Sequence, residues 1–326
     1  MTTLITGATG IVGGAMLRHL SRQGDQPRAL VRSEEGAAQV SRDGAVPVYG
    51  DITDFETLAP AMEGVDLLYH VAGLNVTCPR RPEELIEVNV NGSVNVMRAA
   101  RRAGVGRVVY TSSAMVMGER RGEIGDEETT HRGSYLSHYG RSKHLAEQAA
   151  VAEGGDLDLV IVNPSSVQGP GRKTGTGKLL LDVVNGRLPV MMDTWVSIVD
   201  IDDCARGHLL AASRGESGRR YLLNSFTLRI REAVEILGQQ VGRQIKMRYL
   251  PRPVAYAAGA GIEGAWRLLG KQPPFCRETV RIIGHGHRYD GGRAVRELGM
   301  SYIGPEEFLT KLVAWYKEEG LINQTP

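Results

Sequence analysis

The chain has 326 residues, of which 42% are hydrophobic and 23% charged, the balance of an ordinary globular protein. Its formal net charge of +2 is too small to indicate a nucleic-acid-binding protein, which concentrates basic charge on one face. The length exceeds one typical domain, so we expect a large core with a smaller second lobe.

The chain opens with a short apolar strand and a glycine-rich turn. Gly7, Gly10 and Gly13 form Gly-x-x-Gly-x-x-Gly ahead of a helix through Leu20. These glycines permit a tight turn, close approach of a pyrophosphate, and close packing of helix on strand. The helix N-terminus favours an anion. The pattern predicts a dinucleotide site at Gly7, Thr9, Gly10, Ile11 and Gly13, with a turn plus a packing site as the alternative.

The second predicted strand, residues 27–31, is followed by Arg32 and Ser33. NAD sites place an acidic group here to bind the ribose hydroxyls. A guanidinium and a hydroxyl suit a 2'-phosphate instead, because arginine makes charge-assisted bonds to phosphate. We therefore expect NADP(H), with NAD(H) possible if Arg32 is only a solvated charge or stacks on adenine.

Apolar runs alternate with helical or polar stretches as far as residue 170. They lie around Leu4, Ala29, Val46, Leu67, Val108 and Leu159. This alternation predicts an α/β fold, a Rossmann-type doubly wound parallel sheet. We assign 1–170 to the dinucleotide-binding domain, with 196–215 returning to it, and 171–326 mainly to a smaller interleaved C-terminal substrate lobe.

A Tyr-x-x-x-Lys pattern runs from Tyr139 to Lys143, downstream of Ser112 and Ser113. Positions i and i+4 share a helix face, so the lysine ammonium can favour the phenolate of Tyr139. Tyrosine then becomes usable as an acid or base near neutral pH. The pattern predicts Tyr139 and Lys143 as catalytic residues and leaves the accompanying serine open between Ser113 and Ser112.

Taken in order, these motifs resemble the extended short-chain dehydrogenase/reductase superfamily. Within it the chain is most similar to dihydroflavonol 4-reductase-like proteins and the hopanoid-associated sugar epimerase group, through residues 107–113, 139–147 and 163–165. The resemblance implies further cofactor contacts. These are Asp51 and Ile52 at the adenine, Ala72 and Gly73 at the ribose and nicotinamide, Asn89 in an Asn-Val-x-Gly helix, Pro164 and Val167 beside the nicotinamide amide, and Tyr139 and Lys143 themselves.

The resemblance also implies an NADPH-dependent reductase acting on a small-molecule carbonyl or alcohol. Tyr139 would protonate the developing alkoxide, Ser113 would orient the carbonyl, and Lys143 would bind the nicotinamide ribose and depress the tyrosine pKa. A nucleotide-sugar epimerase or dehydratase that retains NAD is the alternative, and Arg32 argues against it. A non-catalytic dinucleotide sensor is the third hypothesis, and it usually lacks the tyrosine or lysine present here.

The second half predicts helices at 178–187, 233–242 and 305–317 and a flexible substrate-side loop at 169–177. His285 and His287 are expected in a solvent-exposed turn, so no metal site is predicted. Helices at 82–103 and 137–152 resemble those of a family dimer interface, so we expect a homodimer, although intrachain packing explains their apolar positions equally well.

Cysteine usage and hydropathy indicate a cytoplasmic protein without a membrane span. Cys78, Cys204 and Cys276 are widely spaced and odd in number, so neither a disulfide framework nor a zinc site is expected. The first strand begins at residue 2, so we expect no signal peptide. The most apolar segment, 253–262, falls short of the about 20 residues of a membrane helix. It predicts a helix on the core or over the substrate, with peripheral membrane contact as the alternative.

Overall fold

The computed structural model describes residues 1–173, 175–271, 273 and 275–322, a set that omits Thr174 of the predicted glycine-rich loop. The strands are β1 Thr3–Thr6, β2 Arg28–Val31, β3 Val46–Tyr49, β4 Leu67–His70, β5 Arg107–Thr111, β6 Leu159–Pro164, β7 Ser166–Gln168, β8 Val190–Met191, β9 Trp195–Asp200, β10 Arg220–Leu223, β11 Phe226–Arg229 and β12 Arg248–Tyr249. The helices are α1 Ile11–Arg22, α2 Glu34–Arg42, α3 Leu58–Met62, α4 Glu83–Ile86, α5 Gly92–Ala103, α6 His138–Gly154, α7 Thr176–Val184, α8 Ile201–Arg214, α9 Ile230–Gln240, α10 Arg252–Leu268, α11 Arg277–His285 and α12 Pro305–Glu318.

A seven-stranded sheet in the order β10-β6-β5-β4-β1-β2-β3 forms the centre of the molecule. Each neighbouring pair runs parallel. All residues of β4 and β6 are buried, as expected for strands covered by helices on both faces. The predicted doubly wound α/β fold is confirmed.

The strand order reverses between β1 and β4. Strands β2 and β3 follow β1 on one side of it in the sheet. The chain then crosses back, and β4, β5 and β6 follow on the opposite side of β1. The loops that leave β1 and β4 therefore diverge and open a crevice at the carboxyl ends of the strands. Gly7, Ala72 and Ser113 follow β1, β4 and β5 and lie along this edge.

Helices cover both faces of the sheet. On one face, Leu17 of α1 and Cys204 of α8 belong to a single buried cluster. On the other, Met97 of α5 and Ala150 of α6 pack with Tyr110 of β5. The helix that carries the Tyr-x-x-x-Lys pattern is thus fixed against the sheet by its buried alanines.

The C-terminal part adds two small sheets and a separate core. Strand β9 pairs parallel with β7 and antiparallel with β11, and β8 pairs with β12. Helices α7, α9 and α12 share a cluster that includes Val183, Leu237 and Phe308. Strand β10 joins the central sheet beside β6. The domain boundaries themselves remain a prediction.

A disulfide joins Cys78 to Cys276, with a Cα–Cα distance of 6.1 Å across 198 residues of sequence. The expectation that no disulfide would form is therefore wrong. Sequence spacing held no signal for it, because the loop after β4 meets the start of α11 only in the folded chain. In the described part of the chain Cys204 is unpaired, and it is buried.

Helix α10 covers the predicted small-residue segment but extends beyond it at both ends. Among its described residues only Gly259 and Glu263 are buried. Its packed side is small or polar and lies against α11 at Gly259, so the expectation of a small-residue helix on the core or over the substrate stays a prediction. None of the described helices is long and apolar enough to cross a membrane.

Candidate functional site

The glycine turn is built as predicted, and two of its positions exclude any side chain. Gly7 has a φ of +74°, and a Cβ there would lie 2.6 Å from the Ala72 nitrogen. A Cβ on Gly13 would lie 2.3 Å from the Gly7 carbonyl oxygen. These contacts press α1 against the end of β1 and hold β1 beside the β4 loop.

The N-terminus of α1 is open. Helix α1 begins after Gly10, and no described side chain caps it. Thr9, Gly10 and Ile11 are exposed beside it. Uncapped N–H groups and the helix dipole make this end an anion site. The residues therefore fit the pyrophosphate of a dinucleotide.

Arg32 and Ser33 follow β2 at the same edge, as predicted. The Ser33 hydroxyl accepts the Gly36 N–H at 3.2 Å and caps α2. Arg32 Nη1 lies 3.6 Å from Asp51 Oδ2, and the arginine side chain is 75% exposed. Arg32 is thus the accessible cation at the predicted adenosine end.

Asp51 lies beside Arg32 after β3. Burial raises the pKa of Asp51, but hydrogen bonds from the Thr53 N–H and hydroxyl, together with the Arg32 charge, lower it overall. The carboxylate therefore stays ionised. The neighbouring Ile52 side chain is buried, and a Cβ on Gly92 of α5 would touch it at 2.8 Å. Ile52 thus packs beneath the surface on which adenine is predicted to lie.

Asn89 fixes the loop that carries Ala72 and Gly73. Its Oδ1 accepts the Leu74 N–H at 2.7 Å, and its Nδ2 donates to the Leu74 carbonyl at 3.0 Å. The same Nδ2 donates to Ser142 Oγ at 2.9 Å. Asn89 lies in a π-helical stretch, Glu87–Asn91. It therefore ties the β4 loop to α6, whether or not it also contacts cofactor.

His70 is a buried residue that connects strand β4 to β1 and α5, and the sequence motifs did not predict this role. Its Nδ1 lies 2.8 Å from Thr6 Oγ1 and its Nε2 lies 3.1 Å from Ser93 Oγ. The Thr6 hydroxyl also accepts the Ala72 N–H at 3.2 Å. Burial, with a smaller effect from the Lys143 charge, lowers the pKa of His70 to about 3. This neutral imidazole joins the ends of β1 and β4.

Ser113, Tyr139 and Lys143 come together at the end of β5. The Ser113 side chain lies near enough to the Tyr139 phenol to lower its pKa, and its Oγ accepts the Met115 N–H at 3.3 Å. Lys143 Nζ donates to the Thr111 carbonyl at 2.8 Å. It lies 3.9 Å from the point where a Cβ on Gly73 would stand. Of the two serines, Ser112 has a buried Oγ without a hydrogen-bond partner within the described ranges.

The electrostatics of this set differ from the expectation in one respect. Burial raises the pKa of Tyr139, opposed by the Ser113 hydrogen bond and by the Arg172 charge. The cation that acts on the phenol here is Arg172, which was not predicted, and the role of Lys143 toward the tyrosine stays a prediction. Burial lowers the pKa of Lys143 to about 8, opposed by Glu147. The phenol therefore keeps its proton at neutral pH.

Arg172 is a second residue that the motifs missed. It lies in the glycine-rich segment after β7, and its guanidinium donates to the Val167 carbonyl. Val167 and Pro164, both predicted beside the nicotinamide, are buried on β7 and at the end of β6. The segment 169–177, which was expected to be a flexible substrate-side loop, thus places the Arg172 guanidinium near Tyr139.

The histidine pair forms a buried cluster with Glu119. His287 Nδ1 lies 2.5 Å and His285 Nε2 lies 3.3 Å from Glu119 Oε1. Burial raises the pKa of Glu119, but its contacts with His285 and His287 lower it to about 2. The expectation of a solvent-exposed turn is wrong, because the fold brings a carboxylate from 168 residues upstream to the pair.

Comparison with known proteins places this geometry in a family. The model of the NAD dependent epimerase/dehydratase family matches residues 3–223. The chain is 31% identical to "Sterol demethylase protein B" of Methylococcus capsulatus, over 99% of this chain and 100% of that protein. It is 32% identical to a Synechocystis protein named for dihydroflavonol 4-reductase, over 98% and 95%. The crystal structure of gox2253 superposes with a TM-score of 0.85 at 33% identity, covering 99% of each chain. The chain therefore belongs to the NAD-dependent epimerase/dehydratase family and is an NAD(P)-dependent oxidoreductase of the extended short-chain dehydrogenase/reductase type.

Proposed function

We propose that the protein is an NADPH-dependent carbonyl reductase of the dihydroflavonol-reductase-like type. The observation that carries the proposal is the buried Ser113 side chain beside the Tyr139 phenol, whose pKa it lowers, with Lys143 buried on the same helix as the tyrosine. A ketone or aldehyde oxygen placed beside these two hydroxyls would meet a positioned donor and a proton source. Similarity to a protein named for dihydroflavonol 4-reductase supports this reaction class.

Ser113, Tyr139 and Lys143 would have different roles in the reduction. When bound, the nicotinamide supplies the hydride that reaches the carbonyl carbon. Ser113 orients the carbonyl oxygen, and Tyr139 transfers its phenolic proton to that oxygen as negative charge develops there. Because the pKa of Tyr139 is raised by burial, the phenol carries the proton that reduction requires. Lys143 is placed beside Gly73 to bind the ribose hydroxyls.

Arg32 supports NADP(H) as the cofactor. Its guanidinium is mostly exposed at the end of β2, and its partner Asp51 lies 3.6 Å away. A 2'-phosphate could pair with this guanidinium from the solvent side, and charge-assisted bonds to arginine are strong. The Ser33 hydroxyl, which already caps α2, adds a second polar group at the same place.

Nucleotide analysis of the purified protein tests the proposal. The nucleotide that copurifies is released and identified, and the stripped protein is then titrated with NADPH and NADH by fluorescence. The reductase should arrive without a retained nucleotide and bind NADPH about tenfold or more tightly than NADH, roughly 1.4 kcal/mol. Tightly retained NAD that does not exchange would overturn the proposal in favour of an epimerase or dehydratase.

We also propose a homodimer formed through α5 and α6. Val151 of α6 is 51% exposed, and Val94 and Leu145 are partly exposed on the same pair of helices. Burial of these side chains against a second copy would remove apolar surface from water. Size-exclusion chromatography with light scattering at micromolar concentration should give about twice the monomer mass, and a monomer alone would contradict this assembly.

A further inference from the structure

Helix α10 turns its apolar side outward. Its buried residues, within the part described, are Gly259 and Glu263, whereas Leu268 is 90% exposed and Leu269 68% exposed. Val254, Ile262 and Trp266 are exposed as well. A surface helix of a globular protein normally does the opposite and buries its apolar stripe.

The exposed residues form one continuous stripe. Val254, Ala258, Ile262 and Trp266 follow each other at spacings of four, and Leu269 extends the same face. A helix of 17 residues is about 26 Å long. Single exposed apolar residues need no explanation, but a contiguous apolar surface marks an interaction site.

The fold locks this orientation. The Glu263 carboxylate accepts the Arg277 N–H at 2.9 Å and lies 3.7 Å from the Arg277 guanidinium. A Cβ on Gly259 would lie 2.6 Å from Val280 Cγ2, so α10 approaches α11 closely on this side. Rolling the helix to bury its apolar face would break the Glu263 contacts and force bulky side chains against α11.

Cations surround the most exposed end of the stripe. Arg267 is 68% exposed beside Leu268 and pairs with Glu263 at 2.5 Å, and Lys271 follows four residues later in the chain. Arg80 reaches in from the β4 loop to the Gly270 carbonyl at 3.5 Å. Among the described residues, neither Arg80 nor Lys271 forms an ion pair with a carboxylate. The partner of this end is therefore expected to carry negative charge beside an apolar surface.

We propose that α10 docks on the surface of an anionic lipid bilayer and lies parallel to it. Leucine, isoleucine and tryptophan side chains would enter the boundary between headgroups and acyl chains, while Arg80 and Lys271 contact the phosphates. Tryptophan is well suited to this boundary, because its ring is apolar and its N–H polar. The helix is too short to span the bilayer and the right length to lie on it.

The size of the stripe favours lipid over a second copy of the chain. A face about 26 Å long and roughly 10 Å wide offers a few hundred Å². A stable protein interface buries about 800 Å² on each partner. A bilayer needs no matching protein surface, since each inserted side chain gains by leaving water.

Vesicle co-sedimentation of the whole protein tests the proposal. Wild type should sediment with vesicles of phosphatidylglycerol and phosphatidylcholine, and less with phosphatidylcholine alone or in high salt. Ile262→Glu should weaken binding to the mixed vesicles at least tenfold. Val295→Glu is the matched control, because Val295 is 45% exposed on the stretch Ala294–Leu298, which packs on α8 and β10, and it should bind as wild type.

Fluorescence quenching and oligomeric state distinguish lipid binding from self-association through the same stripe. Brominated lipids should quench the fluorescence of wild type more than that of Trp266→Phe, which places the helix itself in the bilayer. Failure of wild type to sediment, or equal binding by Ile262→Glu and wild type, would overturn the proposal. So would a dimer that Ile262→Glu converts to monomer without any lipid binding by wild type.

Discussion

The surroundings of the Tyr139 phenol come from residues both near to it and distant from it in the sequence. Lys143 was predicted from its spacing to Tyr139 on one helix face, and Ser113 from the resemblance to the family. Arg172 was missed, because its approach to the phenol depends on the path of the glycine-rich segment after β7. At this scale the sequence predicted that Ser113, Tyr139 and Lys143 would come together, but it did not predict the Arg172 charge that acts on the phenol.

Replacement of Tyr139 by phenylalanine should abolish turnover while NADPH still binds. The change removes the proton donor and little volume, so we expect a loss of about 10²- to 10⁴-fold in kcat, the usual contribution of a positioned acid. Steady-state kinetics and a fluorescence titration measure the two effects. Tyr135→Phe, close by in the loop before α6, is the control and should stay active. Turnover that survives in Tyr139→Phe would falsify the assignment.

Replacement of Arg32 by aspartate should reverse the cofactor preference. A carboxylate at this position repels a 2'-phosphate and can bind ribose hydroxyls instead. We expect NADPH affinity to fall at least about tenfold, roughly 1.4 kcal/mol, and NADH affinity to hold or rise. Arg42→Asp, at the other end of α2, is the control and should change neither. An unaltered preference in Arg32→Asp would mean that another group reads the phosphate.

Among the elements, the turn between β1 and α1 was the most predictable and α10 the least. Glycine spacing encodes a backbone path directly, so local sequence was sufficient for the turn. The direction in which α10 faces depends on Glu263 finding Arg277 at the start of α11, a contact that no pattern within the helix reveals. The π-helical stretch at Glu87–Asn91, where Asn89 accepts a hydrogen bond from the β4 loop, was likewise not predicted.

Gly13→Ala should disrupt the cofactor turn. Its Cβ would stand 2.3 Å from the Gly7 carbonyl oxygen, and backbone on both sides leaves little room to yield. We expect a lower Tm and much weaker NADPH binding. Gly264→Ala is the matched control, since no described atom lies within 4 Å of its added methyl group. Alanine there should be neutral or stabilise by up to about 1 kcal/mol, because glycine is unfavourable within a helix. Equal effects of the two changes would contradict the close-packing argument.

For the molecule as a whole, the fold class followed from the alternation of strands and helices. The long-range links did not, since Cys78 meets Cys276 across 198 residues and Glu119 meets His287 across 168. Each link joins the first part of the chain to the last. Such pairs carry no periodic signal, and a single sequence gives no means of pairing them.

Reduction of the Cys78–Cys276 disulfide should destabilise the protein. A cross-link that closes so long a loop restricts the unfolded chain, and loss of a native disulfide typically costs about 2–5 kcal/mol. We expect a clear fall in Tm when reductant is added to wild type. Cys78→Ser/Cys276→Ser should melt at the lower temperature and should not respond to reductant. A wild-type Tm that is indifferent to reductant would argue against the bond.

Acid should weaken the contact between Glu119 and the histidine pair. The pKa of Glu119 is about 2 in the folded protein, below its ordinary value of 4.5, so the folded state binds fewer protons between these values. Its contribution to stability, of order 3 kcal/mol, is present above pH 4.5 and lost as the pH falls toward 2. Denaturant unfolding of Glu119→Gln across this range should show a flatter acid limb than wild type. Parallel curves would show that Glu119 does not contribute.

Glu278 links helix α11 to two segments that are distant from it in the sequence. Its buried carboxylate accepts the Cys78 N–H at 2.7 Å and also the N–H of His138, the residue beside Tyr139. The Cys78–Cys276 disulfide lies two residues away, so α11 is attached to both the β4 loop and the first turn of α6. Because α10 packs on α11, these contacts hold both helices in place. A displacement of α11 would therefore be transmitted through Glu278 to the first turn of α6, where Tyr139 lies.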